Sequence, residues 1–303
     1  MNTSRVIDFR CRPPMAAQKL IFDLKLGRLK HTNKFVCLPA QTTSPSMFKV
    51  GEKEGMDLLF QEMEEAGIDQ IVVPGRNIAN PPKAVLQKTD VNNINVTDQE
   101  LIQLRHDFDN RSIGLHGINV EQPIEQVVAD IETAVNDHNL AGAVLEIGYS
   151  KAPDGGPLSI DNQILYPIYE TIVKLDVLLM IQSGIYAGHD IGANDWPPLD
   201  KVMQDFSEMK LVLAHGGYPR VLDAIALAVK HQNFYISPDI YCFFPGGKLY
   251  VEAISQLPDQ FLFGTAYPFG PMKMSVDMAL EFPLSDRDME KYMSGNAARL
   301  LNI

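Results

Sequence analysis

The sequence predicts the α/β class: a (β/α)8 TIM barrel, one domain over residues 1–303, with an N-terminal insertion after the first strand. Three observations point to it. Short apolar runs that suit buried strands alternate eight times with segments of helical periodicity. Several of these runs end in a Gly/Pro turn that carries a charged or titratable residue, as strand mouths of such barrels do. The length of 303 residues exceeds one ordinary domain but suits a barrel of about 250 residues with insertions.

The clearest unit is KLVLAHGGYPR, residues 210–220. Residues 211–214 form an apolar run too short for a helix, and His215 follows at its carboxyl end. Gly216 and Gly217 permit a sharp turn. Pro219 suits the first turn of a helix whose apolar face is expected to be Val221, Leu222, Ile225 and Val229.

The other elements follow in order. Residues 6–9 form a first strand ending at Arg10-Cys11-Arg12, where alternation puts both arginines on one side and Cys11 on the other. Residues 15–50 are polar and proline-punctuated, an insertion with a helix expected near residues 16–26. A helix over residues 52–66 repeats Met56, Leu59, Phe60 and Met63, and Gly67 ends it. Strand two is residues 71–73, with Arg76 in its mouth loop. A loop over residues 77–95 leads to a helix capped at Thr97 or Asp98. Strand three, residues 112–119, carries His116, and a helix follows over residues 123–137. Strand four, residues 142–147, carries Glu146 near its end, and residues 164–175 are helical. Strand five, residues 177–182, ends in Gln182, and a polar loop with His189 leads to a helix over residues 197–206. Strand seven, residues 234–236, leads to Asp239 and then to a helix over residues 248–256. Strand eight, residues 261–263, runs into Gly264-Thr265-Ala266-Tyr267-Pro268. A last helix starts near Ser285, with Asp286 and Asp288 in its first turn.

Acids outnumber bases 38 to 26, giving a net charge of −12. That argues against nucleic acid or an anionic membrane as partner, while a local group of arginines can still attract a small anion. Three cysteines show no paired spacing, so neither a zinc knuckle nor a disulfide framework is signalled. The first residues lack an apolar signal core, and no apolar run reaches the roughly 20 residues of a membrane span, so a cytoplasmic location is expected.

Taken together, the segments at 164–184, LVLAHGGYP at 211–219, FGTAYP at 263–268 and GNAARLL at 295–301 resemble the amidohydrolase superfamily. The similarity is to its amidohydrolase-2 branch, which includes aminocarboxymuconate semialdehyde decarboxylase. The resemblance implies where a divalent metal would be bound: a His-x-His pair on strand one, a histidine on strand five and an aspartate on strand eight. In this chain those positions hold Arg10, Arg12, Gln182 and Ala266. Arginine keeps its proton in proteins and does not coordinate, so no metal and no other cofactor is expected. The resemblance also implies that His215 is the acid/base histidine. It further suggests a homodimer.

The expected chemistry follows from that substitution. A guanidinium pair can hold a carboxylate or stabilise an oxyanion, but cannot activate water as a metal does. Proton transfer then falls to His215, with Asp239 orienting it or a substrate hydroxyl, or serving as a turn residue. Arg10 and Arg12 would bind a small anionic organic substrate, with Arg76 as a third cation or a surface residue. Glu146 is read as an ion-pair partner or a general acid/base, Gln182 as a substrate contact, and Tyr267 as a hydrogen-bond donor or a core aromatic. His116 and His189 are weaker candidates. The aromatic stretch Tyr241-Cys242-Phe243-Phe244 suits an apolar wall. Hydrolysis of a carboxylated lactone or amide is the leading expectation. The alternatives are decarboxylation or isomerisation on the same scaffold, and a catalytically inactive barrel that binds a ligand or partner.

Overall fold

A computed structural model describes residues 5–19, 21–22, 44–79, 94–152, 155–185 and 196–303. The expectation for His189, most of the N-terminal insertion and much of the 77–95 loop lie outside the described residues.

Seven strands, β1 (Ile7–Asp8), β2 (Gln70–Pro74), β3 (Ser112–Gly117), β4 (Gly142–Leu145), β5 (Leu178–Gln182), β6 (Lys210–Ala214) and β7 (Phe234–Ser237), form one sheet in chain order. Every neighbouring pair is parallel. The eighth segment closes the ring without being a regular strand. Leu262 N–H donates to Ile236 O at 2.9 Å on one side, and Phe9 N–H donates to Phe263 O at 2.8 Å on the other. The ladder ends early because a side chain replaces it: Thr265 N–H donates to Asp8 Oδ1 at 2.9 Å, and Thr265 Oγ1 donates to Asp8 Oδ2 at 2.6 Å.

Ten α-helices occur among the described residues: α1 (Lys53–Ala66), α2 (Asp98–Asp107), α3 (Ile124–Asn136), α4 (Tyr166–Lys174), α5 (Trp196–Asp205), α6 (Val221–Lys230), α7 (Lys248–Ile254), α8 (Met272–Leu280), α9 (Asp286–Glu290) and α10 (Asn296–Leu301). The predicted boundaries hold at several of them. Gly67 ends α1 at φ 71°, and Thr97 caps α2 in a reciprocal box with Glu100. A π-turn over Lys291–Gly295 joins α9 to α10. Two apolar layers result. Ile7, Phe9, Val72, Leu115, Val144, Met180 and Val212 fill the barrel, with Ala297, Leu300 and Leu301 of α10 packed on the same cluster. The larger cluster lies between sheet and helices.

Two sequence expectations are corrected around β6. Pro219 does not begin α6; it follows a cis peptide bond to Tyr218, and the helix starts at Val221. The turn takes the extra residues because His215, Gly216 and Gly217 all adopt positive φ. The buried face of α6 is Val221, Ala224, Leu227 and Ala228, whereas Leu222 and Val229 are 65% and 68% exposed. The helix is apolar nearly all round, so periodicity did not single out a face, and its alanines let it pack close to the barrel. Helix α8 was not anticipated. No described helix is long and apolar enough to cross a membrane.

A buried cationic cluster beside a neutral histidine

The site lies at the carboxyl ends of the strands. The chain bends at Phe9 just after β1, and Arg10 and Arg12 both turn inward while Cys11 packs in the outer layer. Arg10 is buried and its Nη2 donates to Gln182 Oε1 at 2.9 Å. The same nitrogen lies 3.2 Å from His215 Nε2. Because a guanidinium only donates, His215 Nε2 is the acceptor and its proton sits on Nδ1. Nδ1 lies 2.8 Å from Asp239 Oδ2, off the ideal hydrogen-bond line. Asp239 is fixed by Ser237 Oγ, which donates to Oδ1 at 2.5 Å, and by His215 N–H, which donates to Oδ2 at 3.3 Å.

Close packing behind this group depends on Gly264. A Cβ there would fall 2.3 Å from Asp239 Oδ1 and 3.1 Å from Arg10 Cβ. His215, Asp239 and Ala266 all hold left-handed backbone, at φ 59°, 55° and 51°. That region is uncommon for non-glycine residues, least so for aspartate and histidine.

A second cluster adjoins the first. Glu146, just past β4, accepts on one oxygen from Arg12 Nη2 at 2.9 Å and from Arg76 Nε and Nη2 at 3.1 and 3.0 Å. Arg76 reaches it because the mouths of β2 and β3 are packed too tightly for side chains between them. A Cβ on Gly117 would lie 2.7 Å from Arg76 N. Arg76 is then clamped by paired backbone bonds to Val96.

The electrostatics favour an incoming anion. Burial, then the charges of Arg76 and Arg10, push Arg12 well below the ordinary guanidinium value, and burial lowers Arg10 against the pull of Asp239 and Glu146. Burial would raise the Glu146 carboxyl, but Arg76 and Arg12 outweigh it and hold the group low, so it is ionised. Since guanidinium groups keep their protons, the cluster stays cationic. Two of its donors, Arg10 Nε and Arg12 Nη1, are buried with no acceptor. Burial, then Arg10, lowers His215 despite Asp239, so its imidazole is neutral at pH 7.

Other candidates lie elsewhere. The Tyr267 hydroxyl bonds Ser46, and Tyr267 pairs with Cys11 in the outer layer, so it does not reach the arginines. His116 Nδ1 meets Asp98 at 2.8 Å, and the residue lies next to the inward-facing Leu115 on β3. Sequence reasoning missed Ser237, Gly264 and Asp8. Only the Ser-Pro-Asp spacing at residues 237–239 carried a signal for any of them.

Asp8 carries a pH dependence of its own. Burial pushes its carboxyl up to about 6 against the hydrogen bonds from Thr265 and Arg10. A raised folded-state value means stability present below the unfolded value and lost as pH rises through about 6. Asp8→Asn keeps an acceptor for Thr265 and Arg10 and removes the titration. Urea unfolding is expected to show the variant gaining about 1.4 kcal/mol on wild type between pH 5 and pH 8. A constant difference across that window would refute the assignment.

The four positions that the resemblance relates to metal binding hold Arg10, Arg12, Gln182 and Ala266. Among the described residues no group of three or more His, Cys, Asp or Glu side chains converges on a point. Two buried guanidinium groups do not suit a divalent cation, so the donor set does not fit the ion.

Comparison with known proteins places these residues in context. The family model Amidohydro_2, described as amidohydrolase, matches residues 54–303. An uncharacterized TIM-barrel protein of Bordetella bronchiseptica is 28% identical, with 98% of each chain covered and a TM-score of 0.82. The 2,6-dihydroxybenzoate decarboxylase from Rhizobium is 17% identical over 98% of each chain, with a TM-score of 0.67. The 5-carboxyvanillate decarboxylase of Novosphingobium aromaticivorans, solved with manganese, is 14% identical over 99% of this chain and 96% of its own, at a TM-score of 0.66. No curated protein matches the chain. With a TIM-barrel framework shared by these structures and a family model spanning most of its length, the chain belongs to the amidohydrolase family.

Proposed function

We propose that this chain is a metal-independent hydrolase of small carboxylated molecules, cleaving the C–O bond of a lactone or the C–N bond of a cyclic amide. The observation that carries the reading is the pair of buried, unpartnered N–H groups, Arg10 Nε and Arg12 Nη1, beside a neutral imidazole. The pair supplies donors for a substrate carboxylate.

In the reaction, the substrate anion draws Arg10 away from His215 Nε2, which then accepts a proton from water as the oxygen bonds the carbonyl carbon. Asp239 stabilises the imidazolium. An arginine N–H donates to the oxyanion. The C–O or C–N bond then breaks, and His215 returns its proton to the leaving oxygen or nitrogen. Decarboxylation is the second reading, favoured by the decarboxylases among the structural neighbours. There the C–C bond would break to release CO2, and a proton from water, passed through His215 Nε2, would replace it on carbon, leaving hydroxide to be neutralised by solvent.

A screen of carboxylated lactones, cyclic amides and hydroxybenzoates separates the readings. Hydrolysis releases an acid and no CO2, and is expected to survive chelation. Release of CO2 alone would support the second reading. Binding without turnover of any compound would leave a ligand-binding barrel.

A related experiment addresses the donor set. Arg10→His combined with Arg12→His is expected to bind zinc no better than wild type, because Gln182 and Ala266 remain poor ligands. Stoichiometric zinc in the purified double variant, read by elemental analysis, would overturn this.

A further inference from the structure

Next to the arginines, a small cleft opens between the mouths of β2, β3 and β4, with room for about one water-sized group. Arg76 and Glu146 form the wall it shares with the cationic cluster, and Val144 and Ile118 make part of it apolar. The remaining polar lining comes from Asn77, Asn119 and Ser150.

These three side chains sit on backbone that is held in place. Arg76, before Asn77, is clamped by two backbone bonds to Val96. Ile78, after it, is clamped at both N–H and C=O by the Asn95 amide, at 2.9 and 3.2 Å. Among the described residues neither end of the Asn77 amide has a partner. Asn119 Oδ1 accepts from Glu121 N–H at 3.1 Å, which orients the amide, and its NH2 group meets no acceptor among the described residues. Ser150 is fixed through its backbone to Ile147 and Leu158, and its hydroxyl has no partner among the described residues. Each residue is half-buried. The cleft therefore presents fixed amide and hydroxyl groups whose hydrogen bonds are not used within the protein.

Charge narrows the occupant. Glu146 is matched by two guanidinium groups on one oxygen, so the shared wall offers no unbalanced negative charge to a cation. Asn77 and Asn119 offer amide donors, and Ser150 either donates or accepts. A hydroxyl or carbonyl oxygen suits that set.

We propose that this cleft is a second subsite, which takes a terminal hydroxyl or carbonyl oxygen of the substrate, with Asn77, Asn119 and Ser150 determining specificity. The proposal rests on the reading that Arg10 and Arg12 hold the substrate carboxylate. The anion site and the cleft adjoin, because Arg76 and Glu146 border both.

The test uses straight-chain carboxylic acids of four to six carbons and their terminal-hydroxyl counterparts as probes, titrated calorimetrically into the full chain. At one chain length the hydroxy acid is expected to bind about tenfold more tightly than the plain acid. Asn77→Ala with Asn119→Leu is expected to bring that ratio to about one while the plain acid keeps its affinity within about twofold. Ser150→Ala, which removes only a hydroxyl, is expected to reduce the ratio in part. Equal binding of both acid series to wild type, or a ratio that survives in all the variants, would overturn the subsite and leave the arginine reading standing. Failure of every plain and hydroxy acid to bind would remove the arginine reading, and the subsite with it.

Discussion

Replacing His215 with asparagine is expected to lower turnover by about 10²–10⁴-fold, the usual contribution of a positioned general base. The structure gives reasons for expecting the upper part of that range. His215 Nε2 is the unprotonated ring nitrogen, because it faces the Arg10 Nη2 donor. Among the described residues no carboxylate or second imidazole is bonded to Arg10 Nη2, so none of these is placed to take over the proton. Asparagine retains a polar group of similar reach but no basic nitrogen. Substrate affinity should change little, since the anion is assigned to the arginines. The wild-type pH–rate profile adds a second check. Burial and Arg10 lower the histidine, so the acidic limb is expected below the ordinary value of 6.5, with activity level above it. The limb should vanish with His215→Asn. Equal turnover by the two proteins on a substrate would show that another group moves the proton.

The alternation of strands and helices was legible because each strand is a short apolar run buried on both faces, bounded by glycine or a charged residue. The cationic character of the site was legible for a related reason. Arg10 and Arg12 are two residues apart in a tight segment, and Gln182 and His215 each close an apolar run. What failed depends on contacts between distant residues. Asp8 and Thr265 are 257 residues apart, and the bonds from the Thr265 N–H and hydroxyl to the Asp8 carboxylate replace a regular eighth strand. Tyr267 sits one residue past Ala266, whose left-handed backbone changes direction, and nothing in the local pattern indicates that its hydroxyl turns outward to Ser46. The buried face of α6 was misread because alanine counts weakly in an apolar pattern yet permits the closest packing.

Glu146→Leu is expected to destabilise the fold by about 3–5 kcal/mol, the range found when one partner of a buried charge cluster is removed. Leucine fills the space but accepts no hydrogen bond. Arg12 Nη2, Arg76 Nε and Arg76 Nη2 all lose their shared acceptor, and Arg12 is already short of one. Three guanidinium groups would then face one another with no carboxylate among the described residues bonded to any of them. Glu146→Gln keeps the shape and one acceptor oxygen, so its loss should be smaller, and Arg12→Met with Glu146→Leu should be less harmful than the two single losses added. The same change acts on ligand binding in the opposite direction. An added carboxylate such as acetate no longer competes with Glu146, so acetate should bind the Glu146→Leu protein more tightly than wild type. Because binding to the folded state alone raises stability, acetate should restore part of the lost stability in urea unfolding, and sodium chloride at equal ionic strength should restore less. A variant as stable as wild type and indifferent to acetate would mean that the arginines are satisfied without Glu146, and that the cluster is not the anion site assigned to it.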